Sequence, residues 1–299
     1  MNDIDLIEYF LTYLKEKKKT SQNTLSAYER DLKGFCEYVT TIKKTVSDAD
    51  SSDIDDFKKV LTRSGRSVST VSRCMSSLRS FYRFLNVSGY VKENPAISVK
   101  NDKCEKKDFE ILTEKEIDLL LSCPDTTDFK GMRDKAMLEL LYATGLRISE
   151  LISLNISDIN LKMNFVSVIN SKDERKSRMI LLYPTCVDAL SAYIHKARAY
   201  FVSDPSENAL FVNVNGDRIT RQGFWKLLKA YVDDAGIKKT ITPHTLRHSF
   251  ATHLLENGAD IHDIKHILGH TDISSTQVYS DFIKRRINSS YLRYNHRSK

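Results

Sequence analysis

The sequence predicts a mainly α chain with a small β-sheet, an all-α N-terminal domain followed by an α+β domain. Three observations predict it. Four amphipathic stripes of helical period precede Pro95, two β-rich runs (165–169 and 179–182) flank a polar, basic stretch, and capped helical patterns fill most of the remainder. At 299 residues and 41% hydrophobic, the chain is long enough for two cores.

Ile4, Ile7, Phe10, Leu11 and Leu14 recur at helical spacing within residues 3–19, which end in Glu-Lys-Lys-Lys, a favourable last turn for the helix dipole. Ser21 caps a second helix with Leu25, Tyr28, Leu32, Phe35, Cys36 and Val39 inward. Residues 53–61 make a shorter third helix. Residues 68–85 make a fourth, with Val71, Met75, Leu78, Phe81, Tyr82 and Leu85 inward. Asn94-Pro95 closes it. The chain therefore divides into a helical domain, 1–95, a charged linker without periodicity, 96–110, and a second domain, 111–299.

The second domain opens with a capping box, Thr113 and Glu116. Residues 133–143 form a buried helix stopped by Gly145, and Leu146-Arg147 leads into another helix carrying Ser149, Glu150 and Leu151. An arginine just past a helix stop is held rigidly, and Glu150, three positions on, is placed to orient it. The hairpin 165–182 has a basic tip, SKDERKSR. From spacing alone Lys172 reads as solvated surface. A helix over 184–200, a small hairpin at Asn215-Gly216 and a helix over 220–234 read as scaffold, with Trp225 packed in the core beside Leu228 and Val232.

Composition narrows the function classes. No apolar run is long enough to cross a bilayer, and the acidic N-terminus lacks signal-peptide character, so a cytoplasmic protein with no membrane partner is expected. Five scattered cysteines without CxxC spacing suit reduced thiols. A net charge of +7 and a pI near 9.0 are compatible with a polyanionic partner. Arg63, Arg66, Arg73 and Arg79, among hydroxyl residues at helix starts, suit contacts with a duplex backbone, as do Arg218 and Arg221. The competing reading is a solvated helix face.

The chemistry concentrates between 242 and 279. Thr242-Pro243 starts a helix that Gly258 stops, setting His244 and Arg247 about one turn apart beside a buried side of Phe250, Ala251, Leu254 and Leu255. A second helix, from Asp260 to Gly269, delivers His270 just past its end. A third, capped by Ser274 or Ser275, carries Tyr279. Phosphodiester cleavage by a side chain needs a nucleophile, cations for the nonbridging oxygens and a proton for the leaving alcohol. Tyr279, Arg147 with Arg247, and the nearby histidines are candidates for the first two needs. Six of the eight histidines fall between 244 and 270, and the pairs 244/248 and 262/266 have a zinc-compatible spacing, but HExxH is absent and no third ligand is well placed. His248 beside Arg247 reads as an orienting residue, and His253, His262 and His266 as structural.

TGLRISEL (144–151), HTLRH (244–248), LGH (268–270) and TQVY (276–279) together resemble the tyrosine site-specific recombinases, closest to the Xer branch of the phage integrase family. The resemblance implies a SAM-like, core-binding N-terminal bundle that clamps DNA, ahead of a catalytic domain with a C-terminal tail exchanged between protomers. It implies Tyr279 as nucleophile forming a 3′-phosphotyrosine, Arg147 and Arg247 as phosphate ligands, His270 as a further donor, His244 as base or donor, and Lys172 as general acid. Ser171 and Asp173 flank Lys172 where the family has glycines, and Leu181 stands where it has proline, so Arg175 and Lys176 stay open as alternatives. No cofactor is implied, because arginines supply the charge that a metal would. The partners implied are double-stranded DNA with an inverted-repeat site, a homotetramer or a heterotetramer with a second recombinase on two synapsed duplexes joined through a Holliday junction, and a septal DNA translocase. Chromosome dimer resolution is the expected role. Mobile-element integration or excision, a type IB topoisomerase and a noncatalytic DNA-binding protein are the alternatives. The tail beyond Tyr279 has the apolar spacing of a short helix that docks on a neighbour, through Phe282, Ile283, Ile287, Tyr291 and Leu292.

Overall fold

The computed structural model describes residues 2–100, 110–170, 177–204 and 206–269. The chain separates into two compact units, Met1–Lys107 and Asp108–Lys299.

Four helices build the first unit: α1 (Asp3–Glu16), α2 (Gln22–Thr41), α3 (Ser51–Arg63) and α4 (Val68–Val87). Side-chain oxygens of Asn2, Ser21, Asp50 and Ser67 accept from free first-turn N–H groups, which fixes each start. The core is aromatic, with Phe10, Phe35, Phe81 and Tyr82 fully buried and Phe10 and Phe81 ring centroids 5.3 Å apart. Helices α2 and α4 are tied together by polar links. Arg73 Nη1 donates to the Ala27 carbonyl at 3.4 Å, and one turn further on Ser77 Oγ donates to Asp31 Oδ2 at 2.9 Å. The segment expected to begin the linker behaves otherwise at its start. Ala96 and Val99 are buried in the first unit's core, and Arg79 binds their two carbonyls, so residues 96–99 are held as part of this unit.

In the second unit α5 (Glu114–Ser122) precedes α6 (Phe129–Thr144), which is buried on nearly every side, and α7 (Ile148–Ser153). A three-stranded antiparallel sheet follows in the order β1 (Ile159–Asn160), β2 (Phe165–Val168), β3 (Arg178–Leu181). The expected hairpin is β2–β3, in register Val166 to Ile180; β1 was not expected, since two residues are too few to show a period. Helix α8 (Pro184–Ala192) continues through a π turn at Tyr193–Ala197 into α9 (Arg198–Phe201), where one continuous α-helix was anticipated. The small hairpin at Asn215-Gly216 forms, with Val212 bridged to Arg218 and Gly216 at φ 87°.

Last among the described residues come α10 (Arg221–Asp234), α11 (Pro243–Glu256) and α12 (Ile261–Leu268). Trp225 is corrected: it is 49% exposed, because the buried stripe of α10 is Phe224, Leu228 and Val232 and the residue after Phe224 lies about 100° round the helix. Helix α11 also departs from a simple two-faced pattern. Thr245, Leu246, Arg247, Ser249, Phe250, Ala251, Thr252 and His253 are all buried, whereas Leu254 and Leu255 are only partly so.

Candidate active site

Two helix ends meet where the C-termini of α6 and α12 approach α11. Gly145 leaves α6 with φ 57°, and a Cβ there would come within 2.4 Å of the Phe250 ring and 2.9 Å of Leu268, so only glycine permits the left-handed turn and the close packing together. Gly269 ends α12 in the same way at φ 62°, with Arg178 Nη1 only 2.7 Å from where a Cβ would stand.

Arg247, 4% exposed, reaches between these ends. Its Nη1 donates to the Gly145 carbonyl and its Nη2 to the Leu268 carbonyl, at 2.5 and 2.6 Å. Arg147, half-exposed at the start of α7, donates to the same Leu268 carbonyl at 3.3 Å and to that of Gly269 at 3.5 Å. Two guanidinium groups therefore converge on one oxygen. Their mutual repulsion is offset by the partial negative charge that unsatisfied carbonyls place at a helix C-terminus.

Glu150 orders the arginines. Its Oε2 accepts from the Arg147 backbone N–H at 2.8 Å and its Oε1 from Arg147 Nη1 at 3.3 Å. A third arginine, Arg178, takes both carboxylate oxygens at 3.2 and 3.1 Å, while its Nε donates to the Ile267 carbonyl. Burial alone would push the Glu150 carboxyl up, but the Arg178 guanidinium first, then the Arg147 N–H and charge, hold it below the usual carboxylate range. Sequence reading passed over Arg178. The signal was there: on β3, residues 178 and 180 alternate onto the buried face, which gives the strand an inward arginine.

His244 is exposed at the first turn of α11, its ring centroid 6.5 Å from that of the half-buried His248. Burial, with the nearby His244 and Arg247, pulls the His248 imidazole down to about 4, so it is neutral at physiological pH. His253 is buried and shares a hydrogen bond with the Tyr142 hydroxyl through Nδ1 at 2.9 Å. His262 and His266 are exposed on α12. Among the described residues no three metal-binding side chains come together. Lys172, its alternatives Arg175 and Lys176, His270 and Tyr279 lie outside the described residues, as does the tail beyond them.

Residues 110–285 match the phage integrase family, and residues 7–89 match its N-terminal SAM-like domain. The chain belongs to the phage integrase family. It is 46% identical over 295 residues to the tyrosine recombinase XerD of Oceanobacillus iheyensis, covering 98% of each chain, and 42% identical over 298 residues to that of Listeria innocua, covering 98% and 99%. Its fold matches that of XerH, a site-specific recombinase solved with palindromic difH substrate, with a TM-score of 0.77 at 20% identity over 96% of this chain and 84% of that one. It is thus a tyrosine recombinase of the Xer type, an enzyme of site-specific recombination.

The arginines singled out for DNA contact in this recombinase divide by what their guanidinium groups hold. Arg63, at the end of α3, Arg66, just before α4, and Arg221, at the start of α10, are exposed. Arg73 pairs with Asp31 at 3.0 Å, and Arg79 binds the Ala96 and Val99 carbonyls at 3.2 and 2.7 Å. Arg218 ties the Ile152 and Leu154 carbonyls and Asn155 Oδ1 together at 2.6–2.9 Å. These three have partners within the fold. No helix among the described residues is long and apolar enough to cross a membrane.

Proposed function

We propose that the recombinase cleaves DNA by attack of Tyr279 on a backbone phosphate gripped by Arg147 and Arg247. The observation that supports this most directly is the convergence of both guanidinium groups on the Leu268 carbonyl, at 3.3 and 2.6 Å. Donors that meet at one oxygen in the absence of substrate are preorganised for the charge of a pentacoordinate phosphorane, whose nonbridging oxygens would replace the weaker carbonyl partner of Arg147. Arg247 stays fixed through Gly145, and Arg147, more exposed and more loosely held, moves to the phosphate. Forked geometry suits this task better than a lysine's point charge.

In the same reading His244, exposed beside Arg247, takes the phenol proton or donates to the phosphate, and His270 donates to it from just past the end of α12. Lys172 protonates the departing 5′ oxygen, with Arg175 and Lys176 as alternatives. The 3′-phosphotyrosine keeps the phosphodiester's energy, so rejoining needs no nucleotide, and the arginines supply the charge stabilisation that a divalent ion would otherwise provide. The first unit clamps the duplex through exposed residues, Arg63 and Arg66 among them, and Arg221 adds a phosphate contact from the second. The domain division belongs to the same reading with its first boundary moved: residues up to 99 go with the clamp, the linker ends at 110, and 111–299 form the catalytic domain. A tetramer on two synapsed inverted-repeat sites, made of this chain alone or with a second recombinase, exchanges strands through a Holliday junction. Chromosome dimer resolution in the cytoplasm, under a septal DNA translocase, is the cellular role this fits.

The test is to incubate the protein with fragmented genomic DNA in EDTA, denature, recover protein-linked DNA and sequence it, with Tyr279→Phe alongside. Adducts that share one inverted-repeat site and vanish in Tyr279→Phe are expected. Adducts that persist in that variant would move the nucleophile to another residue; adducts without sequence preference would contradict site-specific cleavage.

A further inference from the structure

Arg178 stands where β3 begins, on the buried face of the sheet, and its side chain is almost wholly withdrawn from solvent. An arginine so buried must be paired on all its polar sides or it destabilises the fold. Its partners are not scattered. They include both oxygens of Glu150 and the carbonyl of Ile267, the residue before the carbonyl on which Arg147 and Arg247 converge. One side chain thus touches the carboxylate that orders Arg147 and the helix end that both phosphate-directed arginines hold.

The effect on Arg147 is a competition for Glu150. A carboxylate three positions along a helix from an arginine can form a bidentate pair that leaves little net charge for a phosphate. Here Arg178 draws on both oxygens, and Arg147 keeps a single long side-chain contact of 3.3 Å. We propose that Arg178 is a positioning residue for strand cleavage, which keeps Glu150 from neutralising Arg147 and fixes the end of α12, so that Arg147 stays available to the scissile phosphate. Arg178 itself does not touch DNA. The proposal rests on Arg147 being a phosphate ligand, and the experiment separates the two claims.

The experiment measures single-turnover cleavage at saturating DNA, well below the unfolding temperature, on a suicide duplex carrying the recovered site. Arg178→Met is expected to cleave at least about 100-fold more slowly, with DNA affinity within about threefold of wild type. Adding Glu150→Gln, which keeps the acceptor for the Arg147 N–H but removes the charge, is expected to recover at least about tenfold of that loss. The slowed Arg178→Met enzyme is also expected to speed up as pH falls, since protonating Glu150 releases Arg147. A merely structural arginine would lower the melting temperature without this rescue or this pH response. Arg178→Met cleaving at the wild-type rate, or a double variant no faster than the single one, overturns the proposal. Arg178→Lys keeps a cation in place and carries the same test if the methionine variant does not fold, with slower cleavage and rescue by Glu150→Gln expected and an unchanged rate overturning the idea. Arg147→Gln runs in parallel. If it cleaves normally, the reading of the phosphate site fails; if it is inactive while Arg178→Met is unimpaired, only the role of Arg178 fails.

Discussion

Arginine side chains in this site are ordered by helix-end carbonyls as well as by the Glu150 carboxylate. Arg247 donates to the carbonyls that end α6 and α12, and the partial negative charge of those helix ends holds its guanidinium in place. His248, next along α11, makes the same environment measurable. Its folded-state value of about 4 lies below the ordinary 6.5, so between these limits the unfolded chain binds a proton that the folded chain refuses. Its share of stability is therefore present above about pH 6.5 and lost as pH falls toward about 4. Urea unfolding midpoints should drop between pH 7 and pH 5, by less in His248→Gln than in the parent; an equal drop in both would assign the loss to other groups. Arg147, Glu150, His244 and Arg247 were legible because each sits at a spacing fixed by a helix start or stop. That Arg247 turns inward was not, since the pattern of α11 suggests a polar face and the acceptors that bury it come from residues 145 and 268.

Helices α2 and α4 show what an element can hide in plain sequence. The offset of their contacts, Ala27 with Arg73 and Asp31 with Ser77, also relates Ser21 to Ser67, Thr24 to Thr70, Leu25 to Val71, Leu32 to Leu78 and Phe35 to Phe81. The two helices share one pattern, and each begins at a serine cap that meets its positive dipole end. The individual helices could be read from apolar spacing; their pairing could not, because it depends on buried polar links. Burial pushes the Asp31 carboxyl up against the pull of Ser77 and Arg73. Ser77→Ala, which removes one of its donors, should cost about 1–2 kcal/mol in chemical denaturation. An unchanged midpoint would mean that apolar packing alone sets the register. The elements missed, β1 and the π turn, are too short or too similar to their neighbours to leave a periodic trace.

At the scale of the whole molecule, the excess of 46 basic over 39 acidic residues becomes useful only where the guanidinium and ammonium groups are unspent. Arg73, Arg79 and Arg218 are occupied internally, so the phosphate contacts are expected from exposed positions such as 63, 66 and 221. DNA affinity measured by fluorescence anisotropy should fall at least about tenfold from about 50 to about 200 mM salt, and Arg63→Gln, Arg66→Gln and Arg221→Gln should each reduce the slope of log K against log salt by about one. Arg218→Gln should instead lower stability and leave that slope alone.

The grip on the Leu268 carbonyl also has a meaning for how the chain is made. Arg247 meets Gly145 across 102 residues, Arg147 meets Leu268 across 121, and the N–H of Leu112 meets Ser249 across 137. Contacts of such separation close the longest loops and form late, after local helices already exist. A nascent chain emerging N-terminus first carries Arg147 long before the carbonyl that holds it has been synthesised. The pairing of Arg147 and Arg247 on one carbonyl therefore arrives only with α12, and a ribosome-bound fragment that stops short of it has the two arginines unassembled.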